Sequence, residues 1–230
     1  GVPFHLTRGL HIARHDAGTG LLSAQALAET LDTGVLAPGY AFAFLRLQGL
    51  NELADVYGNS VSREVTGAVV ALLQPLLPTA LWGFKPPNAI LLAHAELAVV
   101  EAFVADAAQR LEHPVMAEGA QWQLSLHTGI ARCPQDGKEA EQVLACAALA
   151  ARSRSGENDP AQPTRYEASL GEHSRRRRRM AVELRRAIRE GELEVHFQPI
   201  LPASSAPGAL SRHKFEALSR WHLDGEPVSP

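Results

Sequence analysis

Residues 40–58 read Tyr40-Ala41-Phe42-Ala43-Phe44-Leu45-Arg46-Leu47-Gln48-Gly49, then Leu50-Asn51-Glu52-Leu53-Ala54-Asp55-Val56-Tyr57-Gly58. The first eight are apolar or aromatic at almost every position, which predicts a buried strand. Leu50, Leu53, Ala54 and Tyr57 then recur at helical spacing and stop at Gly58, which predicts a short helix. Arg46 is the exception inside the apolar run. It reads either as a strand-end arginine at the surface or as a residue with a task.

Upstream, Ala24, Leu27, Ala28 and Leu31 have helical spacing behind a plausible N-cap, Ser23, and Gly34, Pro38 and Gly39 break the chain. Downstream, Val61, Val65, Ala68, Val69, Leu72 and Leu73 predict a longer helix stopped by Pro75 and Pro78. Strands are expected around Ala80–Gly83 and Ala89–Ala93, with Phe84-Lys85-Pro86-Pro87-Asn88 as the turn between them. A third amphipathic helix spans Leu97 to Leu111. Trp122 to Ala131 alternates apolar and polar residues like one strand, and Val143–Ala151 is a helix of small residues. Strands and helices in this order give an α/β (α+β) layer: a central, mostly antiparallel sheet flanked by helices. Pro160 and Pro163 close that unit. Ser174–Glu190 follows as an amphipathic helix, with Met180, Leu184 and Ile188 on one stripe and arginines at 175–179. Two more strands, Leu193–Ile200 and Lys214–Trp221, flank a loop at Pro202–Gly208. The expected organisation is therefore 1–165, a linker helix 166–191, and 192–230.

Bulk properties exclude several classes. The 230 residues are 46% hydrophobic and 20% charged with a formal net charge of -3, so no basic footprint for nucleic acid exists. No apolar run approaches the roughly 20 residues a membrane helix needs. Cys133 and Cys146 lack CxxC spacing and suit a reducing compartment. The expected location is cytoplasmic, as a protein of its own or as the cytoplasmic part of a membrane-anchored parent. His5, His11 and His15 have no further ligand at a suitable spacing, so they read as incidental rather than as a metal site. The arginine run reads first as a solvated helix face.

Four strings in order carry a resemblance. His15-Asp16-Ala17-Gly18-Thr19-Gly20-Leu21 resembles the HDxLTGL entry of GGDEF domains, and Leu45 to Gly58 resembles their strand and helix with the first metal ligand. Thr128-Gly129-Ile130-Ala131, followed by Pro134, Asp136 and Gly137, is similar to a later strand of the same domains. Gly191-Glu192-Leu193-Glu194-Val195-His196-Phe197-Gln198-Pro199-Ile200 and Phe215-Glu216-Ala217-Leu218-Ser219-Arg220-Trp221 resemble the first two strands of an EAL domain. The resemblance implies a nucleotidyl-cyclase-like GGDEF fold, a linker helix, and two strands of an incomplete EAL TIM-like barrel.

Departures from the GGDEF pattern imply a lost cyclase. A diguanylate cyclase uses carboxylate-held metal ions to offset triphosphate charge. Aligned on Asp55 and Tyr57-Gly58, the family's first metal Asp falls on Arg46, the second acid on Gln48, the guanine-reading Asn on Ala54 and its partner Asp on Arg63. The signature hairpin places Pro86 and Pro87 where two acids belong, and no acid lies between Leu73 and Ala95. Ser153 replaces the phosphate-binding lysine, though Arg152 and Arg154 lie close. Pro75 and Pro78 stand at the places of the inhibitory RxxD motif.

The EAL strings match their family as far as they go. Glu216 falls on a metal-ligating Glu, Arg220 on a phosphate-pairing arginine and Gln198 on a glutamine of the nucleotide pocket. Such barrels take about 250 residues, so no complete site is expected here. The resemblance implies a catalytically inactive GGDEF-type regulatory domain in a parent whose EAL domain hydrolyses cyclic-di-GMP with Mg²⁺ or Mn²⁺. The alternative is a non-enzymatic cyclic-di-GMP receptor, degenerate in both domains, of the LapD kind; an active diguanylate cyclase ranks third. Expected partners are cyclic-di-GMP in the parent, GTP weakly, and a second copy through the linker helix or tail. No cofactor is expected in residues 1–230 alone.

Overall fold

In the computed structural model, which describes residues 14–36, 39–153, 162–200, 214–223 and 225–228, the chain divides into two units, Gly1–Gly171 and Glu172–Pro230. The first is built around a six-stranded sheet. Its strands are β1 (Leu22–Ser23), β2 (Tyr40–Gln48), β3 (Leu81–Lys85), β4 (Ala89–His94), β7 (Ser125–Cys133) and β8 (Thr164–Arg165), in the order β1-β3-β4-β2-β7-β8. The inner pairs β3/β4, β4/β2 and β2/β7 are antiparallel, and the two-residue edge strands β1 and β8 pair in parallel. Strand β5 (Val115–Ala117) and strand β6 (Ala120–Trp122) form a separate hairpin.

Side chains of a strand point alternately to its two faces, and β2 uses both. Ala41, Ala43, Leu45 and Leu47 join Val65, Val69 and Leu73 of helix α3 (Asn59–Leu73) and Val100 and Val104 of helix α4 (Leu97–Leu111). Tyr40, Phe42 and Phe44 join Leu27 and Leu31 of helix α1 (Ala24–Asp32) and Val143 and Ala147 of helix α5 (Ala140–Arg152). Arg46 continues this second set at the strand's end. Helix α2 (Leu50–Tyr57) follows β2 directly, as the spacing predicts.

The caps are local chemistry. Ser23 Oγ accepts the Ala26 N–H at 3.1 Å and starts α1. Helix α5 has no cap of its own from Glu139; instead Asp32, at the end of α1, accepts the Ala140 N–H at 2.9 Å. Helix α5 also lies very close to β7. A Cβ added at Gly129 would land on the Ala147 carbonyl oxygen and the Ala151 nitrogen.

Three expectations need correction. The single strand Trp122–Ala131 is two: β6 ends at Trp122, whose Cα pairs with that of Val115, and β7 starts at Ser125. Glu118 and Gly119 both take left-handed φ and turn the β5/β6 hairpin, while Trp122, Leu124 and Leu126 keep alternating across the break. Phe84 and Lys85 belong to β3, so the turn to β4 is Pro86–Asn88 alone. Helix α6 starts at Ala168, earlier than Ser174, and runs to Glu190.

The second unit holds most of α6, the hairpin of β9 (Glu194–Ile200) with β10 (Lys214–Arg220), and a small hairpin of β11 (His222–Leu223) with β12 (Glu226–Pro227). Arg186 ties the end of α6 together, donating to Glu183 at 3.0 Å, Glu190 at 2.6 Å and Glu192 at 2.9 Å. These carboxylates, Glu183 foremost, push its guanidinium still further toward the charged form. Ala187 and Trp221 are buried in this unit. Val195, Phe197 and Phe215 are exposed on the hairpin, whereas Trp221 is buried.

Candidate functional site

Gly49, at φ 94, lets the chain leave β2 and enter α2 at once. That sharp exit opens a cleft of about 400 Å³ between the end of β2, the first turn of α2 and the β3–β4 turn. Two reciprocal bonds pin the turn to the strand: Asn88 Nδ2 donates to the Leu47 carbonyl at 3.0 Å, and the Leu47 N–H donates to the Asn88 carbonyl at 2.9 Å. The Gln48 side-chain amide and His127 Nδ1 lie within hydrogen-bond distance, 2.7 Å. Pro86 and Pro87 offer no backbone N–H.

The charged lining consists of Arg46, Lys85 and Arg152 against one carboxylate, Glu52. Among the described residues, none of the three cations is held in an ion pair. A divalent magnesium or manganese ion wants about six oxygen ligands, carboxylates among them. One Glu facing two guanidinium groups and an ammonium does not fit such an ion. Among the described residues, no group of three His, Cys, Asp or Glu side chains is placed to hold a metal.

The structure brings Arg46, Gln48, Pro86 and Pro87 into this one cleft. Ala54 and Arg63 are not in its lining; Arg63 instead runs against the Asp16–Leu21 loop, its Cδ 3.3 Å from where a Gly18 Cβ would lie. Ser153 turns its hydroxyl onto the Ala150 carbonyl at 2.9 Å, and its neighbour Arg152 lines the cleft. Sequence reasoning gave no site role to Asn51, Glu52, Lys85 or Asn88. The available signal was position: Asn51 and Glu52 stand in the first turn of α2, Lys85 ends β3 and Asn88 closes the turn into β4, all beside the β2 exit.

Two of the resembling strings hold turns. Asp16 Oδ1 accepts the N–H groups of Gly18 and Thr19 and the Thr19 hydroxyl, at 3.1, 2.8 and 2.9 Å. Asp136 Oδ2 accepts the Arg132 N–H at 2.7 Å. The Asp16 contacts are of the Asx type that fixes a chain reversal, and the Asp136 contact closes the turn after β7. His5, His11, Arg154 and the Pro202–Gly208 loop lie outside the described residues.

In the second unit, Gln198 stands directly opposite Glu216 in the β9/β10 register, and Arg220 stands opposite Glu194. Period-two alternation puts Gln198, Glu216 and Arg220 on one face of the hairpin, with Val195, Phe197 and Phe215 on the other. Glu216 would contribute one oxygen ligand, far short of a complete metal site.

No helix among the described residues is long and apolar enough to cross a membrane. No family model matches the chain. Uncharacterized protein y4lL of Sinorhizobium fredii is 29% identical over 233 residues, covering 96% of this chain and 27% of that protein. An uncharacterized signaling protein of Caulobacter vibrioides is 29% identical over 227 residues, covering 92% and 27%. The cyclic di-GMP phosphodiesterase NbdA of Pseudomonas aeruginosa is 32% identical over 114 residues, covering 49% and 14%. The chain thus spans about a quarter or less of these relatives' length. Among solved structures, the GGDEF domain of TpbB (YfiN) from Pseudomonas aeruginosa superposes with a TM-score of 0.62 at 16% identity, covering 70% of this chain and 99% of that one. The coiled coil and GGDEF domain of DgcB from Caulobacter crescentus, in complex with c-di-GMP, gives 0.59 at 16% identity, covering 70% and 90%. Sheet order, flanking helices and these superpositions agree: the chain carries the fold of GGDEF domains.

Proposed function

We propose that residues 1–165 act as a GGDEF-type regulatory domain without cyclase activity in a cyclic-di-GMP signalling protein. Residues 166–191 link it to the opening strands of an EAL domain at 192–230, which in the parent would hydrolyse cyclic-di-GMP. The reading rests on one observation above all: the cleft between β2 and the β3–β4 turn is lined by Arg46, Lys85, Arg152, Pro86 and Pro87. Cyclisation of GTP needs carboxylates that hold metal ions against the triphosphate. Cations at those places repel the metal, and the two prolines supply neither acid nor N–H.

The EAL part of the proposal is supported by the shared face of Gln198, Glu216 and Arg220, and by similarity to a relative described as a cyclic di-GMP phosphodiesterase. Glu216 would be one ligand of the Mg²⁺ or Mn²⁺ in the complete domain, which activates the attacking water. Arg220 and Gln198 would hold the dinucleotide. The test is direct. Purified chain incubated with GTP and Mg²⁺ or Mn²⁺ should release no cyclic-di-GMP above a protein-free blank when products are separated by chromatography. Arg46→Asp alone should not restore turnover, since the turn acids are also missing. Product formation by the unaltered chain would overturn the proposal.

A further inference from the structure

We infer that one face of helix α6 is a docking surface for a bilayer carrying anionic phospholipids. The face lies in the second unit, apart from the cleft, and the cyclase reading above uses none of its residues.

Spacing defines the face. On a helix of 3.6 residues per turn, offsets of 3, 7, 10 and 14 return to one line. From Arg175 they meet Arg178, Val182, Arg185 and Arg189. The five positions stay within about 40° of that line and run about 21 Å along the helix. All five are exposed, Val182 at 61%. The three glutamates of α6, Glu172, Glu183 and Glu190, share a different edge. Glu183 and Glu190 are held there by Arg186, at 3.0 and 2.6 Å. Among the described residues, no carboxylate pairs with Arg175, Arg178, Arg185 or Arg189. The apolar side of the helix lies elsewhere again. Met180, Leu184 and Ile188 line a groove with Leu193 and Trp221, and no residue of the arginine stripe enters that lining. A solvated helix face mixes charges of both signs, as the Arg186 edge does; this face carries one sign over about four turns. The chain as a whole has a net charge of -3, so the stripe is not a sample of a basic surface.

The partner must be anionic, flat over that length, and able to take an apolar group at its middle. A second copy does not fit, because two such stripes face to face repel. A nucleic-acid backbone satisfies the charge but gains nothing from Val182, and the stripe offers a base neither an amide nor an aromatic ring. At a bilayer the arginine stems and Val182 lie against the acyl boundary while the guanidinium groups reach lipid phosphates. Each basic side chain near an anionic membrane strengthens binding about fivefold. Four of them give half-binding near about 1 mM accessible anionic lipid, a weak and reversible contact.

The experiment is co-sedimentation of the whole chain with sucrose-loaded vesicles, of phosphatidylcholine alone or mixed equally with phosphatidylglycerol. At about 0.1 M salt the screening length is about 10 Å, the width of a helix, so charges on its far side contribute little. The chain should sediment with the mixed vesicles, half-bound near about 1 mM accessible anionic lipid, and stay in solution with phosphatidylcholine. Higher salt should release it. Arg178→Gln and Arg185→Gln together should weaken binding about 25-fold, and adding Arg175→Gln and Arg189→Gln should abolish it. Arg176→Gln with Arg177→Gln is the charge-matched control. Both of those side chains line the groove instead, so this pair should change binding by less than about twofold. Glutamine is a good helix former, and circular dichroism should show the same helix content in every variant. The inference is overturned by no sedimentation with mixed vesicles, by equal sedimentation with phosphatidylcholine, or by equal losses in the stripe pair and the control pair. Tighter binding to a short DNA duplex than to the mixed vesicles at the same salt also overturns it, the partner then being a nucleic acid. None of these outcomes bears on the cyclase assay, which contains no vesicles.

Discussion

Replacing Gly129 by alanine adds one methyl group where helix α5 crosses strand β7. The new Cβ would overlap the Ala147 carbonyl oxygen, the Ala151 nitrogen and the Ala150 carbonyl carbon, all backbone atoms of the helix. No flexible side chain is available to move aside, so α5 itself must lift from the sheet and unpack Val143 and Ala147 from Phe42 and Phe44. Overpacking of this kind costs about 1–3 kcal/mol, occasionally more, and a rigid helix backbone belongs at the upper end. In a domain of this size about 3 kcal/mol lowers the melting temperature by roughly 6–12 °C. Gly67→Ala is the matched control. It makes the same chemical change in the interior of α3, where nothing lies within 4 Å. There the gain in helix propensity should stabilise by up to about 1 kcal/mol. Circular dichroism melts of the two variants should therefore shift in opposite directions. A Gly129→Ala variant melting with the unaltered chain, or a Gly67→Ala variant melting well below it, would refute the packing argument.

Asp32→Ala removes the acceptor that caps α5 from another helix and should cost about 1 kcal/mol in urea unfolding. Among the described residues no group accepts from the buried Tyr40 hydroxyl, and burial, with Cys133 and Asp32 adding to it, pushes it well above the usual tyrosine value. Unfolding frees it to ionise near about pH 10, so its contribution to stability is intact below that and is lost as pH rises beyond it. Tyr40→Phe should be neutral or stabilising at pH 7 and should flatten the decline in stability above pH 10, followed by denaturation at a series of alkaline pH values. Trp221→Ala deletes the large buried side chain of the second unit, at about 3 kcal/mol; hydrogen exchange across 194–200 and 214–220 should accelerate while residues 40–48 stay protected.

What the sequence made legible was whatever carries a period. The apolar run 40–47, the helical spacing of Val61 to Leu73 and the small-residue helix before Arg152 all appear where their patterns put them. The β5/β6 hairpin was hidden because three-residue strands are too short for alternation to register, and the alternation of Trp122, Leu124 and Leu126 masked the break between β6 and β7. The edge strands β1 and β8 have two residues each and are defined by their partners rather than by themselves. At the cleft, Arg46, Pro86 and Pro87 stood out because an arginine inside an apolar strand and two adjacent prolines in a turn are unusual. Arg152 carries no signal of its own, standing beside the Ser153 that takes the place of the family's lysine. Lys85 was hidden inside an assumed turn that proved to be strand. Distance along the chain conceals what the fold assembles: Arg46 stands on β2 and Arg152 on the last residue of α5, with most of the domain between them.

The same Arg46 bears on how the sheet finds its pairing during folding. It shares a strand face with Tyr40, Phe42 and Phe44, and its Cα is paired with Ala89 on one side and His127 on the other. A slip of β2 by one residue would turn every side chain to the opposite layer. The guanidinium would then enter the layer where Leu45, Leu47, Val65 and Ile90 now meet, with no carboxylate waiting for it. An uncompensated buried charge costs several kcal/mol, a large share of a typical domain's stability. Side-chain volume resists the same slip, since Phe42 and Phe44 would land where Ala41 and Ala43 now fit, and the one cation is a second index mark that keeps the central strand in step.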